Sequence, residues 1–127
     1  MKRRGPDPTP DVDPAEVLSR ATVRAARNLE LAQTELAGVI GVSTATLSRL
    51  ANGQKQLESG SKAWQLAALF VRLFRSLDAI VGSDDAAARA WLRSDNSALG
   101  GVPLELIREP AGLVRTVDYL DAARARI

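Results

Sequence analysis

Gln33-Thr34-Glu35-Leu36-Ala37-Gly38-Val39-Ile40-Gly41-Val42-Ser43-Thr44-Ala45-Thr46-Leu47-Ser48-Arg49-Leu50 decides the fold. Leu36, Ala37 and Ile40 recur at helical spacing, so the spacing predicts a helix over Gln33–Ile40. Gly41 then supplies a residue that tolerates the left-handed conformation of a tight turn. Val42 plugs the turn, Ser43 caps a second helix over Thr44–Ala51, and Leu47 and Leu50 lock that helix onto the first. Ala37 is small where the two helices cross. Asn52-Gly53 stops the second helix. The outcome is a helix-turn-helix whose second helix keeps a polar face of Thr44, Ala45, Ser48 and Arg49, sized for a DNA major groove.

Working outward, Asp13-Pro14-Ala15-Glu16 reads as a capped start for a helix over Pro14–Asn28. Leu18, Ala21 and Ala25 form its inner face, and Arg20, Arg24 and Arg27 lie largely on others. Residues 1–12 hold three of the six prolines and read as a disordered leader, with Lys2, Arg3 and Arg4 available to a DNA backbone. From Ser61 to Val81, Trp64, Leu66, Ala67, Phe70, Leu73, Phe74, Leu77 and Ile80 cover more than half a helix circumference. Such a helix is a central strut covered on several sides. Ser83 is the expected cap of a helix over Asp84–Arg93, with Ala87, Ala88, Trp91 and Leu92 inward. Asp95–Gly101 is a loop, Pro103 opens a short helix to Ile107, and Pro110 opens the last, to Ala125. No segment alternates as a strand does, so the fold class is all-α with about seven helices. The expected division is a leader over 1–12, a helix-turn-helix domain over 13–58 and a second helical domain over 61–127.

Composition narrows function by exclusion. The 127 residues suffice for one ordinary domain or two small ones sharing a core. There is no Cys and no His, which removes disulfides, Cys or His catalysis and the usual zinc sites. The clustered acids Asp84, Asp85 and Asp95 are better explained as helix-start and loop charges, so no catalytic residue, metal site or cofactor is expected. Gly100-Gly101 lacks the strand, Lys and Ser/Thr of a phosphate cradle. The net charge is +2, spread evenly on either side of Gly60, so charge alone does not argue for nucleic acid. The longest apolar run, Leu66–Phe74, is broken by Arg72. No transmembrane or secretory segment is expected, and the expected location is the cytoplasm.

The helix-turn-helix resembles the Xre/Cro type of bacterial and phage repressors over Leu18–Leu57. The resemblance implies that Gln33 braces the reading helix and touches the DNA backbone. Thr44, Ala45 and Ser48 then lie at the bases, Arg49, Asn52 and Lys55 meet phosphate or bases, and Ser43 at the helix start belongs to the same DNA-binding set. A short Thr/Ser/Ala face discriminates bases weakly, so at least a dimer on repeated half-sites is expected. Ala32 departs from the family's usual Ser cap, a loss of about 1 kcal/mol.

The second half carries its own pattern. Trp91-Leu92, Asn96, Leu99-Gly100, Pro103-Leu104 and Leu106 stand in the places that mark the toxin-binding domain of Xre–MbcA–ParS antitoxins, which this run resembles. Glu109-Pro110 is a local departure, where members commonly have Thr or Ser. The resemblance implies a RES-domain toxin as partner, an NAD-consuming protein whose pocket is covered by the antitoxin's C-terminal helix and tail. Trp91, Asn96, Leu99, Gly100, Leu113, Val117 and Tyr119 are then the expected toxin contacts, with Arg124, Arg126 and Ile127 at the tail. Arg124 and Arg126 also suit the negative end of a helix, and the two readings stand even. A stand-alone repressor, with a C-terminal half that dimerises or senses a ligand, is the alternative.

Overall fold

The computed structural model describes residues 13–127, so the leader read over 1–12, with Lys2, Arg3 and Arg4, lies outside the described residues. Seven helices follow: α1 (Pro14–Asn28), α2 (Gln33–Ile40), α3 (Thr44–Ala51), α4 (Lys62–Ile80), α5 (Asp85–Arg93), α6 (Pro103–Leu106) and α7 (Pro110–Arg124). Among the described residues the only β pairing is an isolated antiparallel bridge, Asn96 to Gly101.

Local chemistry explains the boundaries. The Asp13 carboxylate accepts from the Ala15 amide at 3.0 Å, and Pro14 fills the first helical position, where no amide is needed. Ser61 caps α4 by accepting from the Trp64 amide at 3.1 Å. The cap of α5 differs from the expected Ser83. Gly82 and Ser83 both take positive φ, 63° and 62°, as the chain leaves α4. Ser83 is thereby turned back, and its hydroxyl donates to the Asp78 carboxylate at 3.1 Å. Asp84 takes over and accepts from the Ala87 amide at 3.1 Å.

α4 is the strut. It packs against α1, α2, α5 and α7, with Ala67, Phe70, Leu73 and Leu77 wholly buried. One apolar cluster runs from Leu36 and Leu47 of the helix-turn-helix through α4 to Leu113 and Leu120 of α7. The two halves of the sequence therefore share a core. A polar clamp reinforces the junction. Arg89 donates to the Asn28 carbonyl at 3.1 Å, and Arg93 donates to the Glu30 carbonyl at 2.9 Å. The Asn28 carbonyl ends α1, and the Glu30 carbonyl lies in the turn to α2, where Glu30 has φ 56°. At the far end α7 crosses α6 so closely that a Cβ on Gly112 would sit 2.0 Å from the Leu106 carbonyl oxygen.

Candidate DNA-reading edge and toxin-binding surface

α2 and α3 meet through the turn the sequence predicts. Gly41 has φ 75° and ψ 37°, and its amide donates to the Ala37 carbonyl at 2.9 Å. The Val42 amide donates to the same carbonyl at 3.0 Å. Ala32, which has no side-chain acceptor, is partly compensated: its amide donates to the Glu35 carboxylate at 2.7 Å, half of a capping box. Ser43 accepts from the Thr46 amide at 3.1 Å and donates to the Thr46 hydroxyl at 3.0 Å, which fixes the start of α3. Beyond α3, the amides of Gln54 and Lys55 return to the Arg49 carbonyl, and Asn52 accepts from the Gln54 amide at 3.2 Å. The loop then dives inward at Leu57, whose amide donates to the buried Ser19 hydroxyl at 2.9 Å.

This frame leaves Gln33, Ser43, Thr44, Ala45, Ser48, Arg49, Asn52 and Lys55 all exposed. Leu47 and Leu50 face the core. A face of hydroxyls and one guanidinium, held on a rigid helix and open to solvent, can donate to and accept from base edges and phosphates.

The C-terminal surface divides differently. Asn96 builds the loop rather than presenting its side chain. Its carbonyl accepts from the amides of Leu99, Gly100 and Gly101, and its side-chain oxygen accepts from the Leu99 amide at 3.1 Å. Gly100 is exposed with φ 85°. Three of the expected toxin contacts, Leu99, Leu113 and Val117, are turned inward in this chain. Leu99 is 4 % exposed within its loop, and Leu113 and Val117, at 0 % and 2 %, are spent on the shared core. Trp91 is partly buried and stacks on Tyr119, with ring centroids 6.4 Å apart and 24° between the planes. Tyr119 itself is exposed, as are Arg124, Arg126 and Ile127. Val114, absent from the sequence reading, is 43 % exposed on α7. Its off-register position among Leu113, Val117 and Leu120 is the signal that could have found it. Arg115, also missed, donates to the Leu99 carbonyl at 2.9 Å and ties the loop to α7.

Arg124 belongs to a polar network between α7 and α4. Asp121 accepts from the buried Ser76 hydroxyl at 2.7 Å and pairs with Arg72 at 2.6 Å. Arg124 reaches the same Ser76 hydroxyl at 3.5 Å. The Ser76 hydrogen bond, with the nearby charges of Arg72 and Arg124, holds the Asp121 carboxyl below its ordinary range against a smaller opposing effect of burial. Among the described residues no group of His, Cys, Asp or Glu is placed to hold a metal ion.

Two family models match the chain. An antitoxin Xre-like helix-turn-helix domain matches residues 11–72, and an antitoxin Xre/MbcA/ParS C-terminal toxin-binding domain matches residues 76–126. The chain belongs to the Xre/MbcA/ParS antitoxin family. The two matches meet inside α4, the helix that both halves use as their core. Among curated proteins none matches the chain. The protein is thus an antitoxin of a toxin–antitoxin system, not an enzyme, with a DNA-binding module and a toxin-binding module. No helix of the antitoxin is long and apolar enough to cross a membrane.

Proposed function

We propose that this antitoxin neutralises a RES-domain, NAD-consuming toxin through the outer face and end of α7, and that α3 represses its own operon. The observation that carries the toxin half is where apolar surface is left uncovered. Among the described residues the exposed large hydrophobics are Val17, Val114, Tyr119 and Ile127, and the last three lie on α7 or just past it. Apolar side chains left in water on one helix mark the surface a partner covers. Tyr119 rests against Trp91, so its ring is already ordered and loses little entropy on binding. Beyond α7 the exposed cation Arg126 and Ile127 continue its last turn, their amides donating to the Ala123 and Arg124 carbonyls, and stand at a helix end able to enter a concave site on the toxin. In this reading the antitoxin acts by occlusion: it blocks access to the NAD pocket and takes part in no bond-making step.

The operator half rests on the exposed set from Gln33 to Lys55. Gln33 meets the backbone, Thr44, Ala45 and Ser48 lie at base edges, Arg49, Asn52 and Lys55 reach phosphate or bases, and Ser43 fixes the helix start beside them. Because this face is short and weakly discriminating, the DNA-bound form is at least a dimer on repeated half-sites. Residues 13–58 carry this role and 61–127 the toxin-binding one, both in the cytoplasm, where operator and NAD are found.

The test is co-expression of the N-terminally tagged antitoxin with the product of the adjacent reading frame, followed by pull-down. A stoichiometric partner that is lost on Tyr119→Ala and on removal of residues 125–127 is the expected result. Those changes spare Leu120, which is buried. Undiminished capture by both variants would remove α7's outer face from the interface.

A further inference from the structure

α1 carries arginines at positions 20, 24 and 27. Their spacing, four then three, aligns them in one stripe along about 10 Å of helix. Arg20 pairs with Glu16 one turn earlier. Among the described residues, Arg24 and Arg27 make no ion pair. The three guanidinium side chains line a groove of about 360 Å³ between α1 and the end of α3, together with Asn52 and Gly53. Arg27 also lines an adjoining groove of about 140 Å³, which contains Gln33 and Ala51. Arg27 therefore stands between Gln33 at the start of α2 and Asn52 at the end of α3, the two limits of the exposed reading edge.

Concentrating cations here is not a consequence of composition, since the chain as a whole carries only two excess positive charges. Like charges gathered on one side of a helix repel, and the cost is relieved when an anion lies across them. The anion that runs past a helix in a major groove is the phosphodiester backbone, and arginine presents a planar fork that matches a phosphate.

We propose that the α1 stripe, Arg24 and Arg27 foremost, is a second DNA contact that grips the phosphate backbone beside the bases facing α3. It rests on the DNA-binding reading of the helix-turn-helix and adds a helix that lies outside the turn motif. The stripe reads no sequence. It sets the angle and register at which Thr44, Ala45 and Ser48 meet the bases, and it supplies salt-dependent affinity.

The experiment uses the full chain and fluorescence anisotropy with two labelled duplexes: the region upstream of its own reading frame, and a scrambled duplex of equal length. Binding is measured between 50 and 200 mM salt, roughly the window in which counterion release dominates. The proteins are wild type, Arg24→Gln, Arg27→Gln, the double variant, and Arg75→Gln on α4 as a control outside both grooves. All three positions are exposed, and circular dichroism checks that the fold is kept. The slope of log K against log salt is expected to fall by about 0.9 for each phosphate contact removed. Affinity falls by the same factor on both duplexes, and Arg75→Gln leaves the slope unchanged. A wild-type slope in the double variant overturns the stripe while leaving the operator reading intact. Equal wild-type affinity for both duplexes overturns the operator reading, and the slopes still decide the stripe. A chain that binds neither duplex overturns both.

Discussion

Replacing Gly112 with Ala should damage this protein more than a methyl group added to any other glycine among the described residues. The ideal Cβ at residue 112 falls 2.0 Å from the Leu106 carbonyl oxygen and 2.8 Å from the Leu106 carbonyl carbon. A carbon and a carbonyl oxygen settle at about 3.3 Å, so α7 and the end of α6 must part by more than about 1 Å. The obstacle is backbone, which cannot swing aside as a side chain can. The residues beside the contact, Ile107 and Leu113, are both wholly buried, so the shift opens the core at its C-terminal end. Overpacking costs about 1–3 kcal/mol where neighbours can yield, and here they cannot, so the expected loss is at least about 3 kcal/mol. At about 4 °C per kcal/mol for a domain of this size, the thermal midpoint falls by about 12 °C or more. Chemical denaturation of the purified chain, followed by circular dichroism, measures it. Gly38→Ala is the matched control. Its Cβ meets only the flexible Arg108 side chain at 3.7 Å, so it gains helix propensity in α2 and stabilises by about 0.5–1 kcal/mol. If Gly112→Ala unfolds at the wild-type midpoint, the close crossing of α6 and α7 is wrong.

Asp121→Asn should lower stability near neutral pH, with a penalty that shrinks on acidification. The folded state holds the Asp121 carboxyl below its ordinary range, so that stabilisation is present above the unfolded value of about 3.9 and is lost as pH falls through the folded value. Denaturation midpoints of the two proteins should converge below about pH 4, and a penalty independent of pH would contradict the ionic role. Ser43→Ala removes the acceptor for the Thr46 amide and should cost about 1 kcal/mol, read from the denaturation midpoint. Gly41→Ala forces a side chain into φ 75° and should destabilise by about 1–2 kcal/mol, although its Cβ would meet nothing closer than 3.6 Å. A neutral effect there would mean that the turn between α2 and α3 relaxes out of the left-handed conformation.

The elements of this fold are marked in the sequence wherever a cap marks them. Asp13-Pro14, Ser43, Ser61, Pro103 and Pro110 sit at helix starts, and Gly41 and Asn52-Gly53 at helix ends, so the helices fall where periodicity and caps place them. Ser83 misleads for a local reason: after Gly82 the chain needs a second left-handed residue, and the cap passes to Asp84. The polar face of α3 is legible because Leu47 and Leu50 are buried while Thr44, Ala45, Ser48 and Arg49 stay exposed. The candidate toxin contacts are less so. Leu113 and Val117 carry apolar character, but periodicity cannot say whether an apolar stripe meets the chain's own strut or a partner. The clamp of Arg89 and Arg93 on the α1–α2 turn joins residues more than sixty positions apart, and no local pattern announces it. The stacking of Trp91 on Tyr119 is equally a product of how α5 and α7 pack.

Cellular NAD, followed with growth after the adjacent reading frame is induced with and without this antitoxin, tests the central claim most directly. The account predicts that NAD collapses and growth stops without the antitoxin. Both should be restored by the wild-type chain, and not by the chain carrying Tyr119→Ala and lacking residues 125–127. Steady NAD and growth in its absence, or full rescue by that altered chain, would contradict it.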